Sequence, residues 1–233
     1  MKLRLILGTS LLALAAPALA GEVEQVPHGM LVTTDAGEEV RVLAYADGTF
    51  RVTVADEVDD AAESLMVIAA PDGAPSFAAD AEWASLTSSD GMARVQPSDG
   101  RLMVYDAGGA LLLDEHAAAR QIEPVEIEGQ QWFATRAQFN RGTDEGLYGL
   151  GQHQNRQMNH NGEDVELAQH NMAIAGPYLV STRGYGLLWD NNSITRVGDP
   201  DPYEKLIADR GFGIMNAGSH DHVIGDVIPG WRA

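Results

Sequence analysis

Glu145-Gly-Leu-Tyr-Gly-Leu-Gly-Gln-His-Gln-Asn155 sets three glycines and an aromatic ahead of a run of amide and imidazole side chains. The polar run continues through Arg156, Asn159, His160 and Asn161. Glycines at this density let a backbone turn sharply and come close to a neighbour, and Gly149 and Gly151, which bracket Leu150, are the positions expected to need positive φ or close approach. Gln, His and Asn supply the donors and acceptors that read sugar hydroxyls or fix a loop. Downstream, Gly176-Pro-Tyr-Leu-Val-Ser-Thr-Arg-Gly-Tyr-Gly-Leu-Leu-Trp-Asp190 reads as strand, turn and strand, its apolar runs divided by Thr182-Arg183-Gly184.

The chain before this region repeats the same grammar. Met30–Thr34, Glu39–Ala44 and Thr49–Val54 are β-rich runs separated by Asp35-Ala-Gly37 and Asp47-Gly48, and alternation predicts one wet face and one buried face. Ala93–Gln96, Arg101–Tyr105 and Ala110–Asp114 follow, punctuated by Ser98-Asp-Gly100 and Asp106-Ala-Gly-Gly109 as tight turns. Val125–Ile127 and Gln131–Phe139 then lead into the glycine loop. Between the two sets lies a mixed segment with the acids Asp56, Glu57, Asp59, Asp60 and Glu63 and one apolar run, Leu65–Ala69, read as a strand. The acids lack the glycine-punctuated spacing of a calcium loop and are read as a solvated connection. Short, evenly spaced strands with almost no helical periodicity predict an all-β, antiparallel β-sandwich, and the absence of a fixed repeat argues against a propeller or solenoid.

Composition narrows the function classes. Lys2 and Arg4, the apolar Leu5–Pro17 and the small residues Ala18-Leu19-Ala20 form the three regions of a secretory signal peptide, so residues 1–20 are expected to be removed and the protein exported, to the periplasm or beyond. No second apolar run approaches the roughly 18 residues of a membrane span, so no membrane anchor is expected. The chain has no cysteine, which excludes disulfides, zinc-thiolate sites and thiol nucleophiles. A formal charge of −19, from 15 basic against 34 acidic residues, repels phosphate backbones and argues against nucleic acid as a partner. Neutral ligands such as sugars remain compatible.

The glycine loop, the Pro177-Tyr178-Leu-Val-Ser181 strand and the Gly184-Tyr-Gly-Leu-Leu-Trp-Asp190 strand together resemble the N-terminal β-sandwich domain of glycoside hydrolase family 31, the α-glucosidases and α-xylosidases. The resemblance is strongest from Glu145 to Arg196, extends back to about Val26 and ends at about Leu206. It implies a galactose-mutarotase-like super-sandwich over residues 21–206. Residues 207–233 have neither alternation nor a capped helix and are expected to be an atypical, poorly ordered or frameshifted tail. In the resembled family the nucleophile lies in an Asp-x-Asn-Glu context on a separate (β/α)₈ barrel, and no such motif occurs in this chain. A retaining glycosidase needs two carboxylates across the anomeric carbon, and no pair among the 34 acids is singled out, so no catalytic residue is assigned.

The resemblance implies a supporting role. A sandwich loop in family 31 reaches the mouth of the active site, and Gln152, His153, Gln154, Asn155, Asn159 and Asn161 are placed to belong to it; equally, such side chains satisfy loop backbone groups. Trp189 either stacks on a pyranose face or fills the core. His153, His160 and His170, and the pair flanking Asp221 in His220-Asp-His222, match no ligand spacing, so no metal and no cofactor are assigned. Two functions follow: the N-terminal domain of an exported α-glycosidase, inactive without its catalytic barrel and in contact with an α-linked glucoside or xyloside, or a free-standing carbohydrate-binding or mutarotase-like sandwich. The order and spacing of the loop and two strands favour the first.

Overall fold

The computed structural model describes residues 21–198 apart from 47, 61–62, 117–119, 128, 155 and 170–172. The expected signal peptide, the 207–233 tail, Asn155, His170, His220 and His222 lie outside the described residues.

Among the described residues the chain is built of strands, with one 3-10 turn at Val58–Asp60. Strands β1 (Glu22–Val26), β2 (Gly29–Thr33), β3 (Glu39–Ala44) and β4 (Phe50–Ala55) form a four-stranded antiparallel meander. Strands β5 (Ser76–Ala79), β6 (Ala84–Thr87), β7 (Gly91–Val95), β8 (Leu102–Asp106) and β9 (Leu111–Glu115) form a second meander, extended at the β9 edge by β12 (Phe139–Asn140). Between them in sequence, β10 (Gln121–Ile127) and β11 (Gln130–Arg136) make a separate hairpin. Strands β13 (Leu147–Gln152), β15 (Ile174–Ser181) and β16 (Gly186–Leu188) form a three-stranded sheet, and β14 (Asp164–Leu167) pairs with β17 (Thr195–Gly198).

The period-two signal explains the main core. On β3, Val40, Val42 and Ala44 are buried while the residues between them are partly exposed. They meet Met30 and Val32 of β2 and, from the facing sheet, Ala84, Leu86, Ala93, Val95 and Leu102. Each fully buried Val, Leu or Met of this set contributes on the order of 1.5–3 kcal/mol, so the two meanders close as a sandwich. Arg120 clamps its edge: the guanidinium donates to Glu115 Oε1 at 3.0 Å, to Glu38 Oε2 at 2.8 Å and to the Gly100 carbonyl at 3.1 Å.

One expected strand is absent. Leu65–Ala69 forms no strand, and Leu65 and Ile68 are 78% and 97% exposed. The Ser64 hydroxyl accepts the amides of Met66 and Val67 at 3.1 and 2.8 Å, a local turn that competes with sheet pairing. The sheet partners instead come from β5 and β6. The acidic connection is also partly structured: Val58 is buried, its amide bonds Glu39 Oε2 at 2.8 Å, and Asp59 pairs with Arg41 at 2.7 Å.

Candidate functional site

Strand β13 carries the glycine loop. It runs antiparallel to β15, with the register breaking between Gly149 and Gly151. Three consecutive residues have positive φ: Gly149 at 118°, Leu150 at 60° and Gly151 at 101°. A Cβ on Gly151 would stand 1.9 Å from the Ile174 carbonyl, and one on Gly149 2.5 Å from that of Tyr178, so neither position accepts a side chain. The bulge turns Leu150 inward, where it is 2% exposed among Val165, Leu167 and Leu179. Left-handed backbone at a leucine costs roughly 1–2 kcal/mol, which burial of its side chain, worth about 1.5–3 kcal/mol, offsets.

A buried carboxylate anchors the start of this strand. Glu145, 3% exposed, accepts the Ser181 and Tyr185 hydroxyls at Oε1, the latter at 2.8 Å, and the Gly142 amide at Oε2 at 3.2 Å. The Arg183 guanidinium stands 3.9 Å from Oε2. Burial pushes this carboxyl up, but the hydroxyl bonds of Ser181 and Tyr185, the Gly142 amide and the Arg183 charge outweigh it and hold Glu145 below the ordinary glutamate value. Burial and the same bond push the Tyr185 phenol up to about 12. Glu145 is therefore ionised and Tyr185 neutral at neutral pH.

The polar run closes over this anchor. Asn159 Oδ1 accepts the amides of Leu147 and Asn161 at 2.9 and 3.1 Å, and Asn161 Nδ2 donates to the carbonyls of Gly142 and Glu145. His153 Nε2 donates to the Leu150 carbonyl at 2.8 Å, and its ring meets His160 edge-on, with centroids 6.3 Å apart. His160 is 6% exposed, and its Nδ1 is buried with no hydrogen-bond partner among the described residues. The side chains of Gln152 and Gln154 are exposed.

Behind the loop lies a cavity of about 320 Å³. Leu147, Leu150, Leu179 and Leu187 wall it on the β13–β15–β16 side, Leu113 and Phe139 on the other, and Trp189 and His160 complete it. Trp189 is half-buried, its amide held by the Pro177 carbonyl at 2.8 Å. The structure thus divides the residues singled out in the sequence. Gln152, His153, Asn159 and Asn161 share the loop, Asn159 and Asn161 with side-chain atoms engaged by backbone, while Trp189 belongs to the cavity wall. Sequence reasoning missed Glu145 as the hub, because nothing distinguished it from the other acids except its place before the glycine strand. Among the described residues no group of three His, Asp or Glu side chains is arranged to hold a metal ion.

Comparison with known proteins sets this geometry in a family context. Residues 39–197 match the family described as the glycosyl hydrolase 31 N-terminal galactose mutarotase-like domain. The structure is similar to the family 31 α-xylosidase of Xanthomonas citri, with a TM-score of 0.71 and 40% identity, over 76% of this chain and 20% of that one. It is also similar to a family 31 α-xylosidase from a soil metagenome, solved with xylose, with a TM-score of 0.67 and 27% identity, over 76% of this chain and 29% of that one. In sequence, the α-xylosidase of Saccharolobus solfataricus is 27% identical over 147 residues, 59% of this chain and 20% of that protein. The chain therefore spans a fifth to under a third of the length of these relatives.

Proposed function

The chain belongs to glycoside hydrolase family 31, whose N-terminal galactose mutarotase-like domain it carries, and on that premise we propose that it acts as the accessory sandwich of an exported α-glycosidase, without hydrolytic activity of its own. The observation that carries this reading is the match over residues 39–197, a sandwich of the family type, in a chain that contains no Asp-x-Asn-Glu nucleophile motif. The two solved relatives above are α-xylosidases, which favours an α-xyloside over an α-glucoside as the substrate of the whole enzyme.

The loop's part in that enzyme is to present polar side chains to the substrate. Glu145, Asn159 and Asn161 hold the loop from within, which leaves the exposed Gln152, with His153 next in sequence, to contact the leaving-group side of the sugar, together with Asn155, which lies outside the described residues. Trp189 lines the wall of the cavity. In a full-length enzyme rebuilt from this chain, Gln152→Ala and His153→Ala should lower kcat/KM most for substrates with bulky leaving groups and leave the glycone preference unchanged. Equal losses for all leaving groups, or none, would reduce both residues to scaffold.

A further inference from the structure

With 34 acidic residues against 15 basic ones, arginines in this chain have carboxylates to choose from. Arg41 pairs with Asp59, Arg51 with Asp190, Arg101 with Asp114, Arg120 with Glu38 and Glu115, Arg183 with Glu145 and Arg196 with Asp164. Arg136, which ends β11, differs. It is half-buried in the wall of the cavity and forms no ion pair among the described residues. Its side-chain partner is the amide of Gln138, whose oxygen must face it because a guanidinium only donates; Nε and one terminal nitrogen are used there, and Nη1 keeps both its hydrogens. The acids that β9 sets opposite the cavity residues Phe139 and Asn140 are committed elsewhere: Asp114 accepts from Arg101 and from the Asn140 amide, and Glu115 pairs with Arg120. No Asp or Glu lines the cavity among the described residues, and its walls are mainly apolar.

We infer that this cavity binds a small carboxylate with an apolar body, its acid group on the Arg136 guanidinium and its ring or chain among Leu150, Leu179, Leu187 and Trp189. A planar guanidinium is always charged and matches a carboxylate with two parallel hydrogen bonds, so the acid supplies the counter-charge that the protein withholds. The apolar body follows from the leucine walls, which gain by covering hydrocarbon and offer nothing to hydroxyl groups. A sugar suits the cavity less well, since the one hydroxyl in its wall, that of Tyr185, is already given to Glu145. Size sets the limit. About 320 Å³, roughly the share of ten waters in the liquid, is the small end for a ligand pocket and admits one ring or short chain with an acid arm. The charge of −19 opposes anions at long range, so the preference for an acid is local and belongs to Arg136. The inference depends neither on the family reading nor on the loop's contact with substrate.

Calorimetric titration of the 233-residue chain with two acids, 3-phenylpropionate and hexanoate, each against its own neutral amide, tests the assignment. At least one acid should bind with a Kd of about 1 mM or tighter, and its amide about tenfold or more weakly. Arg136→Gln should weaken that acid about tenfold or more and leave the amide unchanged. Arg136→Lys, which keeps the charge but loses the planar fork, should retain part of the preference for the acid, a partial rescue that a merely structural role of Arg136 would not produce. Leu187→Phe, which adds bulk to the wall, should weaken acid and amide alike and so places both in the cavity. Circular dichroism shows whether the variants fold; should Arg136→Gln unfold, Arg136→Lys and the acid-to-amide ratio of the parent chain decide. No binding of either acid up to about 10 mM overturns the inference. Equal affinity for acid and amide also overturns it, as does acid binding indifferent to Arg136→Gln, the result expected of an anion held elsewhere on the surface.

Discussion

Replacing Glu145 by Gln removes the charge at the centre of the loop anchor while keeping its shape. The glutamine retains one carbonyl oxygen for the Ser181 and Tyr185 hydroxyls, but its amide nitrogen then faces the Gly142 N–H, a donor against a donor. Hydrogen bonds to a charged group are worth about 1.5–3 kcal/mol against 0.5–1.5 for neutral ones, and an orphaned buried donor costs about 1–3 kcal/mol, so the substitution should cost about 3 kcal/mol at neutral pH. The pH dependence separates this cause from simple misfit. The folded-state value of Glu145 lies below 4.5, so its stabilisation is whole above 4.5 and is lost as the pH falls through the folded value. Urea unfolding of the parent and Glu145→Gln chains should differ by about 3 kcal/mol at about pH 7 and converge in acid as the pH falls through the folded value, because a protonated glutamate resembles glutamine. A difference below about 0.5 kcal/mol at neutral pH, or one that persists undiminished in acid, would refute the anchor.

Gly151→Val should destabilise the β13–β15 sheet by at least about 3 kcal/mol, since strained φ and a clash with the Ile174 carbonyl act together; hydrogen exchange of β13 and β15 amides measures it, and normal protection would contradict it. The sequence alone predicts almost no stability change for His153→Ala, but the bond from Nε2 to the Leu150 carbonyl raises the expected cost to about 1 kcal/mol, readable by the same urea titration. A spectroscopic pH titration should show a tyrosine step near 12, and Tyr185→Phe should delete that step. Because the folded value is raised from 10, this tyrosine's contribution is whole below pH 10 and falls as the pH rises through about 12.

The sandwich was legible wherever one face of a strand is dry. Val40, Val42 and Ala44 alternate with partly exposed neighbours, and Asp35-Ala-Gly37 supplies a turn between strands. Leu65–Ala69 misled because apolar composition says nothing about whether a partner strand exists, and the hydroxyl of Ser64 turns the chain before one is met. The glycine positions were legible for a steric reason, since Gly149 and Gly151 do adopt positive φ; that Leu150 joins them was not, because only its burial makes the strain tolerable. Polar residues were the least legible. In sequence Asn159 and Asn161 read equally as ligand contacts or as side chains that satisfy the loop; in the structure they bond backbone groups 12 to 19 residues away, and Glu145 acquires its role from Ser181 and Tyr185, 36 and 40 residues downstream.

Whether this chain alone cleaves a glycosidic bond is the most direct test of its accessory role. Purified protein incubated with aryl α-xylosides and aryl α-glucosides should release no phenol above the uncatalysed rate, because the family's nucleophile motif is absent from its sequence. Turnover that a single Asp or Glu substitution in this chain abolishes would contradict that claim and place a catalytic carboxylate within it.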